Sequence, residues 1–308
     1  MGKELFTVMA VFITLFLFGM FILRAGLLQI GVEKVQTLLL KATDSPWKGL
    51  IAGTLITALF QSSSVVMVLL VGLVAAGIIS FRQTIGVILG TNIGSCFTLE
   101  LVAFQLSDLA VPLLLFGLVL LMFKNAASYT AGCVSFGIGC IFLAMTGLES
   151  LADPLASFPV THHFFQWTND SHLTGIGVGA IVTTIIQSST ATIGMAMGFI
   201  QDQGLSMESG IAIMLGANIG TCLTAYIASI GAGHTARLVA HAHIWLNLLG
   251  AVLFYALIPY LADVSYLLAK TASVQLAHAS TLYNIACSLL VLPFTAKFAQ
   301  FVERVAKG

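Results

Sequence analysis

A short polar tetrad occurs twice in this chain, each time inside an apolar stretch: Gln61-Ser62-Ser63-Ser64 and Gln187-Ser188-Ser189-Thr190. Sliding residues 53–98 by 126 positions onto 179–224 needs no gap and matches 15 of 46 residues. The matches gather on glycines and polar residues, among them Gly53, Thr57, Gln61, Ser62, Ser63, Gly90, Asn92, Gly94 and Thr98. Shared apolar composition would instead match Leu, Ile and Val, so the segment is an internal repeat. In a chain that crosses a membrane, corresponding polar interruptions in two repeats point to a binding site.

That this chain crosses a membrane follows from its surface requirements. Hydrophobic residues make up 58%, charged residues 8%, and the mean hydropathy is +1.03. A soluble domain carries about 25% charged residues, so this chain has too few to cover a soluble surface. It reads as an all-α, polytopic protein of the plasma membrane, one transmembrane domain over residues 1–308. The lipid bilayer is its surroundings, and a formal net charge of zero gives no reason to expect nucleic acid. Cys96, Cys133, Cys140, Cys222 and Cys287 form no CxxC and no loop pair. They read as small buried hydrophobes, with no disulfide framework, resident metal or cofactor expected. Residues 1–25 carry Lys3, Glu4 and Arg24 and lack a clear cleavage site, so they read as a first span rather than a leader.

Further spans fall at 83–106, 111–123, 131–148, 209–230, 238–261 and 275–295, with a short basic tail behind them. Repeat 1 covers about 47–106, repeat 2 about 173–230, and the C-terminal spans 238–295. Residues 149–172 read as the longest hydrophilic connection. The tetrad segments, 47–79 and 173–200, are long for single spans and polar at their centres. If every segment crosses once, the 12 Lys and Arg divide 8 to 4 between the two faces. If both tetrad segments are re-entrant helical hairpins, Arg82 and Lys124 change sides and the division becomes 10 to 2. The excess of basic residues on cytoplasmic loops favours the second arrangement. The two repeats are then inverted, each with one re-entrant hairpin, and residues 149–172 face outward.

A hairpin tip at membrane depth leaves free N–H groups at the start of its second helix. Ser62, Ser63, Ser64, Ser188, Ser189 and Thr190 are good capping types there. Such helix starts also favour anions, because N–H groups and dipole act together. Two tips facing one another offer two helix starts, two amides and six hydroxyls, enough to surround a small tetrahedral oxyanion. The alternative is that these groups only bond neighbouring helices. The Lys and Arg residues lie near segment ends, so neutral donors would hold the anion and co-bound cations would balance its charge. Asn92 and Asn218, each 31 residues after its Gln, and Thr57 and Thr183, four before it, are oxygen donors suited to Na⁺. For the threonines, bonding back to their own helix competes.

The paired Gln-Ser-Ser-Ser and Gln-Ser-Ser-Thr tetrads, each followed by Gly-x-Asn-Ile-Gly (residues 90–94 and 216–220), resemble the type II sodium/phosphate cotransporter family. The resemblance covers 5 to about 293. It implies inverted repeats with phosphate and Na⁺ bound where the tips meet, carried by Gln61 to Ser64 and Gln187 to Thr190 with Asn92 and Asn218 in support. Many bacterial members add a PhoU-like helical domain, whereas this chain stops at Gly308, so regulation of that kind is expected to be absent or supplied by a separate partner; the resemblance leaves room for a homodimer. Electrogenic animal members carry an aspartate shortly after the first tetrad; none stands between Ser64 and Gly90 here.

Ala240-His241-Ala242-His243 with Asn247 parallels Ala277-His278-Ala279-Ser280 with Asn284, offset by 37. Three intramembrane histidines raise a metal site, but His241 and His243 face different sides of a helix and no carboxylate accompanies them in sequence. Helix–helix contacts are the expected role. Glu100, well inside a span, is either a proton or cation site or close to the aqueous edge. The leading function is Na⁺-coupled symport of inorganic phosphate. A transporter of the same build for another small anion, or for phosphate export, is the second reading. An intramembrane metal-dependent enzyme using His241, His243 and His278 is the third. The topology has a direct check. A cysteine replacing Arg82, in a background without native cysteines, should react with impermeant reagent from the cytoplasmic side; exclusive labelling from outside contradicts the inverted-hairpin reading.

Overall fold

The computed structural model describes residues 2–29, 39, 44–104, 107–156, 159–201 and 204–306. All regular structure among them is helical. The first repeat is built of α2 (Pro46–Phe60), α3 (Ser63–Ala75) and α4 (Phe81–Ala103), preceded by α1 (Gly2–Leu28). Next come α5 (Ser107–Leu121), α6 (Ala126–Ala156) and α7 (Pro159–Asp170). The second repeat is α8 (His172–Ile186), α9 (Ser189–Gln201), α10 (Met207–Gly220) and α11 (Cys222–Ser229). Four helices close the chain: α12 (His234–Tyr255), α13 (Ile258–Leu268), α14 (Ala272–Val291) and α15 (Thr295–Val305). Adding 126 to the bounds of α2, α3 and α4 gives those of α8, α9 and the α10–α11 pair. The sequence repeat is thus a structural repeat to the residue, apart from an interruption at Thr221. Among the described residues six helical stretches, counting α10–α11 and α14–α15 as one each, are long and apolar enough to cross a membrane.

The tetrads break their helices by one device. Gln61 and Gln187 are the non-glycine residues with positive φ among those described, at 53° and 59°. A left-handed residue ends a helix readily, though a side chain there carries a steric cost that glycine avoids. The carboxamide offsets that cost: Gln61 Nε2 donates to the Ala58 carbonyl and Gln187 Nε2 to the Thr184 carbonyl, so each Gln caps the helix it ends. Ser62 is extended, and the chain turns helical again behind each Gln: Ser62 Oγ accepts from the Val65 N–H at 3.4 Å and Ser188 Oγ from the Ala191 N–H at 3.3 Å.

Glycines set the direction of the flanking helices. On α4, Gly86, Gly90 and Gly94 sit against Pro46, Leu50 and Thr54 of α2, so closely that an added Cβ would overlap each carbonyl. The numbers rise together, so α2 and α4 run parallel and α3 carries the chain back to the end where α2 began. In the second repeat Gly216 and Gly220 meet Ile176 and Ala180 in the same way, and α8 runs parallel to α10. By contrast α14 is antiparallel to α4: Ser288 Oγ donates to the Leu89 carbonyl at 3.0 Å, and Thr281 Oγ1 reaches Glu100. Helices α1, α5 and α6 form a panel closed by small residues, with Gly19 against Gly137 and Cys140, and Gly117 against Phe136. Many Leu, Val and Phe side chains point outward from the bundle, as lipid contact allows; on α5 they include Val111, Leu115 and Phe116.

Two stretches differ from the sequence expectation. Most of 149–172 is helical, because α6 continues to Ala156 and α7 follows with Phe165 buried on one side. An amphipathic pattern of His, Phe and Trp stands there in place of the apolar run that marks a span. The basic tail is also structured: α15 buries Ala299 and Val302, and its Glu303 holds Arg82, at the start of α4, through two hydrogen bonds of 2.9 and 3.0 Å. Parts of the expected links, around Lys34 and Lys41 and at residues 202–203, lie outside the described residues. If close glycine packing sets the hairpin geometry, Gly90→Ala and Gly216→Ala should each destabilise the protein by about 1–3 kcal/mol through overpacking. Gly72→Ala, with nothing within 4 Å of its added Cβ, should be neutral or stabilising by up to about 1 kcal/mol. Thermal unfolding of the purified variants in detergent measures the difference.

Candidate functional site

The two helix breaks come together. Both tetrads line one small cavity, joined by Ser95, Thr98, Thr221 and Arg24. Ser95 and Thr221 are themselves 126 apart, so the cavity wall is drawn from equivalent positions of both repeats. Gln61, Ser62, Ser63, Ser188, Ser189 and Thr190 are buried, and Ser64 and Gln187 are partly so. Helices α3 and α9 begin here, so the first N–H groups of two helices border the same space. The space is drawn in tightly, with about 10 Å³ for the centre of a water molecule, room for roughly one water. A larger cavity of about 270 Å³ lies between α1, α7, α8 and α9. Its walls are almost wholly apolar, including Phe6, Met9, Phe164 and Phe199, and offer little to fix an ion.

The two halves of the polar site are not equally satisfied. In the second repeat Thr224 Oγ1 donates to Gln187 Oε1 at 2.6 Å, and Thr183 Oγ1 to Thr192 Oγ1 at 2.8 Å. Their counterparts Thr98 Oγ1, Gln61 Oε1 and Thr57 Oγ1 are buried and take no hydrogen bond among the described residues. Thr57 loses its partner because Val66 stands where the second repeat has Thr192. Neither threonine bonds back to its own helix, against the competing expectation. An unsatisfied buried oxygen costs about 1–3 kcal/mol, and three together in a native site call for an explanation.

The structure gives the asparagine amides other partners. Asn92 Nδ2 donates to Asn247 Oδ1 at 2.9 Å, tying α4 to α12, and Asn218 Nδ2 faces Met214 Sδ at 3.5 Å. Neither lines the cavity with the tetrads. The 37-residue C-terminal echo explains itself through the same network. Asn247 Nδ2 lies 3.3 Å from Cys222 Sγ, and Asn284 Nδ2 lies 3.3 Å from Cys96 Sγ. Thus α12 packs on the second repeat as α14 packs on the first.

The histidines take three different sets of partners. His241 stacks on Tyr226, His243 is buried with Nδ1 unpartnered, and His278 Nδ1 lies 3.0 Å from a Glu100 oxygen. A carboxylate therefore does accompany a histidine, which the sequence concealed because Glu100 stands 178 residues away. Thr281 Oγ1 completes this cluster with a 2.6 Å bond to Glu100. Both Glu100 and His278 retain partial exposure, Glu100 close to the end of α4. Their repeat counterparts are Tyr226 and His241, so a polar pair on one side answers an aromatic stack on the other. Among the described residues no three His, Cys, Asp or Glu side chains gather as a metal site.

Sequence reasoning missed four cavity residues. Thr98 had a signal, being identical to Thr224 in the repeat. Ser95 and Thr221 exchange one hydroxyl for another and so drop out of an identity count. Arg24 lies outside the repeat, and its place is a correction: one basic side chain does stand beside the tips.

A bundle of membrane-length helices around an enclosed polar site made of two broken helices has the build of a solute transporter. The comparisons agree. The family model described as Na+/Pi-cotransporter matches residues 15–150 and 156–282, and the chain belongs to that family. It is similar to the uncharacterized protein YqeW of Bacillus subtilis, at 34% identity over 94% of this chain and 95% of that protein. YjbB of Escherichia coli K12, whose name gives it a provisional role as an inorganic phosphate export protein, is 23% identical over 96% of this chain. The match covers 54% of YjbB, so the chain spans about half the length of that relative. The sodium-dependent phosphate transport protein 2B of Pongo abelii is 30% identical over 109 residues, 32% of this chain and 16% of its own. No solved structure matches.

The buried histidine yields a test of the polar packing. His243→Ala should lower folded yield and unfolding temperature while leaving the ion and anion dependence of transport near wild type. A variant that folds normally yet loses a bound metal together with all activity would bring the enzyme reading forward.

Proposed function

We propose that the protein is a Na⁺-coupled symporter of inorganic phosphate, with the anion bound between the tetrads Gln61 to Ser64 and Gln187 to Thr190. The observation that carries this reading is the convergence of two helix starts and both sets of hydroxyls on one cavity. Hydroxyls suit phosphate because each donates to P–O⁻ and accepts from P–OH. The tight space implies that the tips part to admit the anion and close around it.

Sodium is assigned to the first repeat. Thr57 Oγ1, Gln61 Oε1 and Thr98 Oγ1 are hard oxygen donors left unpartnered and buried, and Na⁺ sites in transporters are built from such groups beside broken helices. Thr183 is engaged by Thr192, and Asn92 by Asn247, so these rank behind the first-repeat set. Asn218 stands off the cavity as well. The family's name and that of the Pongo abelii relative support the coupling ion.

In this reading both hairpins are re-entrant and the repeats are inverted. Parallel α2 and α4 support re-entrance, since the chain returns to its starting end. The Arg82–Glu303 pair supports it too, because single crossings throughout would set Arg82 opposite the C-terminal helix. Inversion is supported by the basin that Ser80 and Arg82 share with His234 and Thr235: the third helix of repeat 1 starts where that of repeat 2 ends. A second reading, phosphate export by the same site, is favoured by the name of YjbB.

Radiolabelled phosphate flux in proteoliposomes decides between them. Uptake driven by an inward Na⁺ gradient supports symport, whereas flux indifferent to Na⁺ removes it. A hydrogen bond to a charged group is worth roughly 1.5–3 kcal/mol. Ser63→Ala and Ser189→Ala should therefore each lower phosphate affinity by about tenfold to a hundredfold, with Ser80→Ala as a control away from the tips. Wild-type kinetics in both tip variants would return the tetrads to helix packing.

A further inference from the structure

Arg24 stands near the end of α1, in a span of mean hydropathy 2.6, where a charged side chain is costly and marks function by default. Its Nε donates to the Gln61 carbonyl at 2.9 Å, and the side chain lines the cavity between the tetrads. Among the described residues no carboxylate lies within 4.0 Å of it, and its other guanidinium N–H groups meet no protein acceptor. A plain capping role for α2 fits the first bond but does not explain the charge. The second tip supplies the comparison. Gln187 adopts φ 59° and ψ 28°, against 53° and 30° for Gln61, with no basic side chain on its carbonyl among the described residues. The hairpin tip therefore holds its shape without an arginine.

Building on the phosphate reading above, we propose that Arg24 is the fixed counter-charge of the anion site. The Gln61 carbonyl steers the guanidinium, and its free edge binds an oxyanion held by the two tips. The guanidinium edge matches a phosphate geometrically and can bond it through two parallel N–H groups. One positive charge then comes from the protein itself, so co-bound cations need supply correspondingly less. The site is asymmetric as a result: the arginine of α1 meets the repeat-1 tip, which also carries the unpartnered oxygens, while in repeat 2 the equivalent Gln187 and Thr183 oxygens are paired within the protein.

The test uses the full-length protein in lipid nanodiscs, with radiolabelled phosphate binding read at a pH where phosphate is mainly monoanionic and at one where it is mainly dianionic. Arg24→Gln should lower affinity by about tenfold to a hundredfold, with the larger loss for the dianion. Arg24→Lys, which keeps charge but loses the fork, should fall between Gln and wild type. Affinity in a folded Arg24→Gln protein that matches wild type, or drops equally for both ionic forms, overturns the proposal. If the Gln variant does not fold, a protein in which Arg82, Arg237 and Arg304 are changed to Lys leaves Arg24 as its sole arginine. Phosphate should then slow modification of that arginine by phenylglyoxal, and absence of protection overturns the proposal. Should wild type bind no phosphate, the functional reading fails by itself. The same protection assay with arsenate and sulfate then decides Arg24, with protection by either upholding it and protection by neither overturning it.

Discussion

Ending a helix inside a membrane is possible only where the freed backbone groups find partners. Here the whole arrangement depends on how two glutamines meet that demand. Gln61 and Gln187 turn left-handed and fold their carboxamides onto their own helix ends. The serine behind each restarts a helix. Glycine would make the turn more easily but would leave the last carbonyls bare in a dry environment. The tetrad is thus a compact solution: one residue to stop, one to cap, and two more at the start of the next helix.

The break matters because glycine contacts aim it. Close packing of α2 on α4 and of α8 on α10 holds each hairpin against a full-length helix in fixed register. The tips then meet at one cavity, and its lining hydroxyls beyond the tetrads, Ser95, Thr98 and Thr221, arrive on those same long helices. Symmetry supplies the frame and its violations supply chemical differences. Val66 in place of a threonine frees Thr57, an open Gln61 carboxamide faces a closed Gln187, and an arginine from outside the repeats reaches one tip alone.

Much of this was legible in the sequence because a gapless repeat preserves helix bounds as well as residues. The tetrads, their helix breaks and their convergence follow from polar groups recurring at equal spacing in apolar surroundings. What stayed hidden has a common physical origin. Arg24 belongs to a span that looks ordinary except for one charge near its end, and only tertiary packing brings it to the site. The Glu100–His278 pair joins residues on helices far apart in sequence. Residues 149–172 and the C-terminal tail looked like links because a helix packed on one side only needs one apolar face. Asn92 and Asn218 were conspicuous for their glycine neighbours, yet those glycines serve helix packing, and the amide of Asn92 joins α4 to α12 while that of Asn218 turns onto Met214 of its own helix.

The central claim is that both tips hold one and the same anion. A double-mutant cycle on Ser63→Ala and Ser189→Ala, read as phosphate affinity, tests it most directly. Hydroxyls sharing one bound ion should be coupled, so the loss in the double variant should depart from the sum of the single losses by about 0.5–3 kcal/mol. Losses that add to within about 0.3–0.5 kcal/mol would mean that the two tips act at separate places, and would contradict the account.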